Sequence, residues 1–153
     1  MNLKDDEILE NLNEKYQIIQ KVAGYKYGVD TILLFKFVQN LLNKKNLKLL
    51  DIGTGNGILP TLLADNENIQ EIIGVDIQEE NIERANKVLE INKIENKIKF
   101  ECIDIKKYKN SNYFDAIISN PPYMEQNGKK INENLHRAIS RHELELNLED
   151  LII

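Results

Sequence analysis

The chain of 153 residues, 42% hydrophobic, is long enough to bury one core, and its composition excludes collagenous, fibrous and wholly disordered classes. A formal charge of -5 leaves no bulk electrostatic case for nucleic-acid binding, so phosphate contacts would have to come from a local basic face. One cysteine, Cys102, excludes disulfide frameworks and zinc clusters; with no basic-then-apolar leader and no apolar run near the roughly 20 residues of a bilayer span, a cytoplasmic protein without metal or membrane partner is expected.

The acidic opening predicts a short helix over 5–15, and 16–29 reads as extended or irregular. Asp30 reads as the N-cap of a helix over 31–43, whose Ile32, Leu33, Phe35, Phe37, Val38, Leu41 and Leu42 make it too apolar to stand on a surface unsupported. From Leu47 the rhythm becomes strand, helix, strand. Strands are expected over 47–52, 71–77, 97–105 and 114–119, the last of them buried, with helices over 58–64 and 79–92. Cys102, in phase with Ile98 and Phe100, reads as a buried packing residue.

Alternating strands and helices imply right-handed crossovers and a parallel sheet, hence an α/β, Rossmann-like fold with helices on both faces and a ligand site beyond the carboxyl ends of the strands. Residues 1–46 read as a cap packed on the core, and 47–153 as the domain that binds the ligand. Asn147 caps a helix of only about two turns before Ile153, against a mean of roughly 11 residues. The sheet therefore reads as incomplete, its C-terminal strands missing, with apolar surface where they would lie.

Asp51-Ile52-Gly53-Thr54-Gly55-Asn56-Gly57 leaves a strand and opens a helix, the setting in which glycines permit positive φ and close backbone approach to a ligand. The spacing G-x-G-x-G departs from the dinucleotide pattern, since Ile58 occupies its third glycine position, and this makes a nicotinamide oxidoreductase a distant alternative. Asp51 would oppose a pyrophosphate but suits the ammonium-bearing methionine end of S-adenosylmethionine. Asp76, about 20 residues beyond the loop at the next strand's end, is placed to accept ribose hydroxyls, and Asp104 at the third to meet the adenine amino group. Both Asp51 and Asp76 also fit plain strand-end turns.

The fourth strand runs into Asn120-Pro121-Pro122-Tyr123, where two prolines fix φ and remove two backbone donors. The Asn120 side-chain oxygen and the Pro121 carbonyl can then accept both hydrogens of an amino group. That localises a delocalised lone pair, aims it at a sulfonium methyl and stabilises the charge developing on nitrogen, without a strong base. Tyr123 is positioned to stack on a planar substrate. An Asx turn before a proline-rich loop is the bland alternative.

Loop and tetrapeptide together resemble the class I, Rossmann-like amino-methyltransferases. Gln20 with the run Gly24-Tyr25-Lys26-Tyr27-Gly28-Val29-Asp30-Thr31-Ile32-Leu33-Leu34, then Thr54-Gly55-Asn56-Gly57-Ile58 with Pro60, and His136 to Glu143 followed by Leu148-Glu149-Asp150, are similar to the bacterial tRNA(Val) adenine-N6 methyltransferases. The resemblance implies an S-adenosylmethionine-dependent enzyme that methylates an adenine beside the anticodon, with RNA, specifically tRNA, as partner. It assigns Gly53, Gly55, Asp76 and Asp104 to the cofactor, and Asn120, Pro121 and Tyr123 to the adenine. Asp51 and Gly57 join the cofactor set by their place in the loop. Pro122, Lys129, Lys130, Arg137 and Arg141 are the candidate substrate contacts. Lys26, Tyr27 and Phe35 depart from the family's Arg, Phe and small residue, and Lys26 cannot make a bidentate phosphate contact. The dispersed Lys93, Lys97, Lys99, Lys106, Lys107 and Lys109 read first as solvating surface. Methylation of a guanine amino group in ribosomal RNA or of a protein glutamine amide uses the same tetrapeptide and stays open, as does an inactive cofactor-binding fragment.

Overall fold

The computed structural model describes residues 2–23, 27–109 and 112–120. The helix expected over 5–15 is instead a β-hairpin, β1 (Glu7–Asn11) pairing antiparallel with β2 (Gln17–Lys21). Asn13 decides this locally: its side-chain oxygen accepts from the backbone N–H of Lys15 at 2.8 Å and of Tyr16 at 2.7 Å, closing the turn. Non-local packing does the rest. Ile18 and Ile19 of β2 are fully buried against Ile58 and Val88, an apolar surface that outweighs the local helical pattern of the acidic segment.

Helix α1 spans Val29–Leu41, with extended Gly28 as N-cap and Asp30 inside the first turn, where its charge favours the helix N-terminus. The cap expected of Asp30 is thus displaced by two residues. Strand β3 (Leu47–Ile52), helix α2 (Ile58–Leu63), strand β4 (Ile69–Asp76), helix α3 (Glu79–Asn92) and strand β5 (Ile98–Cys102) follow, then a 3₁₀ turn (Ile105–Lys107) and β6 (Ala116–Ser119). The sheet is parallel throughout, in the order β5-β4-β3-β6.

Leu49, Ile72, Ile98 and Ile118 point to one face and pack with Val38, Leu59, Leu63 and Leu89, so α1, α2 and α3 lie on that side. Leu50, Ile52, Ile73 and Val75 line the opposite face, covered by Ile103, Ile105, Tyr108 and Phe114 from the β5–β6 connection. Among the described residues that second face carries the 3₁₀ turn and no α-helix.

Strand β6 is not the buried strand expected: Ile118 is buried but Ile117 is 64% exposed on the second face. Helix α1 likewise leaves Val29, Leu33, Phe37 and Leu41, spaced four apart on one stripe, more than half exposed. Cys102, expected in the core, is exposed, because it is the last residue of β5, the edge strand of the described sheet. No helix among the described residues is long and apolar enough to cross a membrane.

Candidate active site at the carboxyl ends of the strands

In the parallel register Ile52 pairs with both Val75 and Ser119, and Asp76 pairs with Cys102, so β3, β4, β5 and β6 end side by side. Gly53 and Asn120 therefore leave adjacent strands at the same level. Ser119 reinforces this by donating its hydroxyl to the Ile52 carbonyl at 3.0 Å.

The glycine loop folds back on β4. The N–H groups of Gly53 and Thr54 both donate to the Val75 carbonyl, at 2.9 and 3.0 Å. Gly53, Gly55 and Gly57 have φ of 71°, 58° and 77°, the left-handed region that disfavours side chains. An added Cβ at Gly53 or Gly55 would meet nothing within 4 Å, so these two positions border open space where a ligand can approach the backbone. Gly57 differs, since its Cβ would lie 2.5 Å from the Phe100 ring.

Asp51, Gly74 and Phe100 form one row across β3, β4 and β5 on the helical face. Gly74 has no room for a side chain: its Cβ would stand 2.6 Å from both Phe100 and Thr54 Oγ1. Phe100 is thus wedged beneath the loop, a role that its strand alternation alone did not reveal. The Asp51 carboxylate, 3% exposed, accepts the Thr54 hydroxyl at 2.6 Å. Burial pushes its pKa up to about 7; the Thr54 hydrogen bond opposes the rise and the neighbouring Asp76 charge adds to it.

Asp76 is also buried, and its carboxylate is shared among protein donors. One oxygen accepts from Gln78 N–H at 2.8 Å; the other accepts from Gly55 N–H at 2.8 Å and the Asn81 amide at 3.2 Å. Burial raises its pKa, and these hydrogen bonds hold the rise back. Asp76 therefore ties the glycine loop to the first turn of α3. Asp104 lies two residues beyond β5 and caps the 3₁₀ turn by accepting Lys106 N–H at 3.0 Å. Ile103 N–H donates to the Asp76 carbonyl at 3.0 Å, which keeps that segment beside the loop's acidic partner.

Asn120 ends the described part of the fourth strand's exit. Its side-chain nitrogen donates to Thr31 Oγ1 at 3.0 Å and lies 3.4 Å from the Asp30 carboxylate, so the first turn of α1 joins the site. Pro121, Pro122, Tyr123, Lys129, Lys130, Arg137 and Arg141 lie outside the described residues. Of the dispersed lysines, Lys97 caps the end of α2 by donating to the Ala64 and Asn66 carbonyls, both at 2.7 Å, and Lys99 pairs with Glu71 at 2.9 Å. Thr54, Gly74, Asn81 and Phe100 complete the set that sequence reasoning did not single out; Thr54 and Asn81 carried a signal in being polar at a loop and at a helix start.

The family described as Methyltransferase domain matches residues 43–143. The chain is 40% identical over 93 residues to the release factor glutamine methyltransferase of Buchnera aphidicola subsp. Baizongia pistaciae, spanning 61% of this chain and 33% of that protein. It is 30% identical over 129 residues to the tRNA1(Val) (adenine(37)-N6)-methyltransferase of Phocaeicola vulgatus, spanning 84% of this chain and 53% of that one. The chain thus spans from a third to about half of the length of these relatives. Among solved structures, M. jannaschii TYW2 in complex with AdoMet has the same fold, with a TM-score of 0.63 at 14% identity over 76% of this chain and 52% of that one.

Proposed function

We infer that this chain, which belongs to the methyltransferase-domain family, acts in transferring the methyl group of S-adenosylmethionine to an exocyclic amino nitrogen, N6 of an adenine in tRNA before other acceptors. The observation that carries the reading is the adjacency of Gly53 and Asn120, set by the Ile52–Ser119 register. It brings an open, backbone-lined loop next to a side-chain amide.

When bound, S-adenosylmethionine supplies an electrophilic methyl on a positively charged sulfur. In the proposed arrangement the backbone around Gly53 and Gly55 lies along the cofactor, since no side chain intervenes there. Asp51 faces the ammonium, Asp76 holds the loop closed and offers remaining lone pairs to ribose hydroxyls, and Asp104 stands toward adenine. Asn120 accepts one hydrogen of the substrate amine through its carbonyl oxygen, with the Pro121 carbonyl taking the other and Tyr123 stacking on the base. The amine's lone pair then points at the methyl and the charge that grows on nitrogen meets two acceptors. Basic residues Lys129, Lys130, Arg137 and Arg141 supply the phosphate contacts that the acidic chain as a whole does not.

Similarity to the tRNA enzyme extends over 84% of the chain, against 61% for the glutamine enzyme, and this supports the nucleic-acid acceptor. The higher identity to the glutamine enzyme, 40%, favours a second reading, methylation of a protein glutamine amide, whose nitrogen is equally delocalised. Incubation with methyl-labelled cofactor and, in parallel, tRNA, ribosomes and release factor separates them. Label in tRNA adenine is expected; label confined to protein replaces the first reading with the second, and label in ribosomal guanine overturns both.

A further inference from the structure

Asn120 reaches the site from β6, yet its side chain is held by a different element. Thr31, 6% exposed in the first turn of α1, presents its hydroxyl to the Asn120 nitrogen at 3.0 Å, and the Asp30 carboxylate stands 3.4 Å from the same nitrogen. A hydroxyl alone would not settle which end of an amide faces it, because it both donates and accepts. A carboxylate only accepts, so the NH2 end must be the one turned toward α1. Asp30 is itself seated: its other oxygen lies 2.3 Å from where a Cβ on Gly28 would stand, so the glycine at the N-cap makes room for it.

We propose that Thr31 and Asp30 are positioning residues that fix the Asn120 amide with its nitrogen toward α1 and its carbonyl oxygen on the opposite side, presented to the amine of the substrate. This rests on the methyl-transfer reading for its consequence but not for its geometry. An amide free to flip would offer NH2 instead of the carbonyl in a share of encounters, and a donor facing the substrate amine cannot accept its hydrogen. The cost falls on turnover, because the acceptor matters most as charge develops on nitrogen.

The test uses the 15N-labelled 153-residue chain and two substitutions of near-equal shape. Thr31→Val removes the hydroxyl, and Thr31→Ser keeps it. Hydrogen exchange of the Asn120 side-chain NH2 is expected to quicken about tenfold in Thr31→Val and to return to within twofold of the parent in Thr31→Ser. With the methyl acceptor that the labelling assay identifies, kcat should fall about tenfold in Thr31→Val while KM and cofactor Kd stay within twofold, and Thr31→Ser should restore it. Unchanged amide exchange in Thr31→Val overturns the proposal, as does faster exchange with unchanged kcat. Faster exchange in Thr31→Val, with a parent chain that methylates none of the offered acceptors, leaves the amide orientation standing and removes the methyl-transfer reading instead. Should Thr31→Val lose cooperative melting, Asp30→Ala, at a partly exposed position, carries the same two measurements, with the same outcomes deciding.

Discussion

Protonation of Asp51 should gate cofactor affinity. Its carboxyl is buried beneath the loop and held at about 7, so below neutrality the ligand-free site contains mostly the neutral acid. A ligand bearing an ammonium and a sulfonium favours the ionised form and must release the proton on binding. The ionised fraction is about 3% at pH 5.5 and half at pH 7, so the association constant should rise about 16-fold across that interval. Above pH 7 the ligand's own α-amino group, with a pKa of roughly 7.7–8.0, begins to titrate and the comparison ceases to isolate Asp51. Calorimetry with S-adenosylmethionine in buffers of differing ionisation enthalpy measures both Kd and proton release. In Asp51→Asn the slope should vanish. A parent Kd flat from pH 5.5 to 7, or an Asp51→Asn variant keeping the parent's slope, would refute the reasoning.

Further expectations concern stability and chemistry. Because folded Asp51 keeps a proton that the unfolded chain releases from about 3.8, its contribution to stability is lost as pH rises through that range to about 7; denaturant midpoints of the ligand-free chain should show a penalty of up to roughly 4 kcal/mol that Asp51→Asn does not. Gly74→Ala forces a methyl against Phe100 and Thr54 and should cost about 2 kcal/mol in urea unfolding while weakening cofactor binding, whereas a neutral effect would show the row beneath the loop to be slack. Asn120→Ala should lower turnover about 100-fold with cofactor Kd nearly unchanged, and Asp76→Ala should do the reverse, weakening Kd more than turnover; equal effects on both constants would break the division of roles. Lys87→Met strips the ammonium that sits 2.8 Å from the buried Glu7 carboxylate and should cost about 3 kcal/mol by thermal melting, with Glu7→Gln in the same background recovering part of the loss.

The sheet was legible in the sequence because its strands and helices repeat a strong local signal. The apolar run 47–52 and the helix 79–92 coincide with β3 and α3 at both ends, where the Gly-rich stop and the αL residue Lys93 punctuate the chain. The glycine loop was legible for the same reason, since positive φ at Gly53, Gly55 and Gly57 has a residue signature. The hairpin was not, because its stability lies in Ile18 and Ile19 meeting α2 and α3, contacts that leave no local periodicity over 5–15. Cys102 and Ile117 misled by phase alone: alternation says which face a side chain takes, not whether anything covers it there. Nor could spacing show that Asp30, which reads as a helix cap, stands beside Asn120 from the far side of the chain.

A hydrogen bond from the Asn56 amide to the Ile19 carbonyl, 2.7 Å long, couples the glycine loop to β2. Free energy spent on ordering the loop is felt by the hairpin, and by reciprocity whatever loosens the hairpin weakens whatever orders the loop. The first strands of this chain are therefore not a detachable preface to the glycine loop. A truncation that spares every glycine but removes β2 would leave the loop without its outer brace, and sensitivity of the site to distant changes in the hairpin is built into the fold.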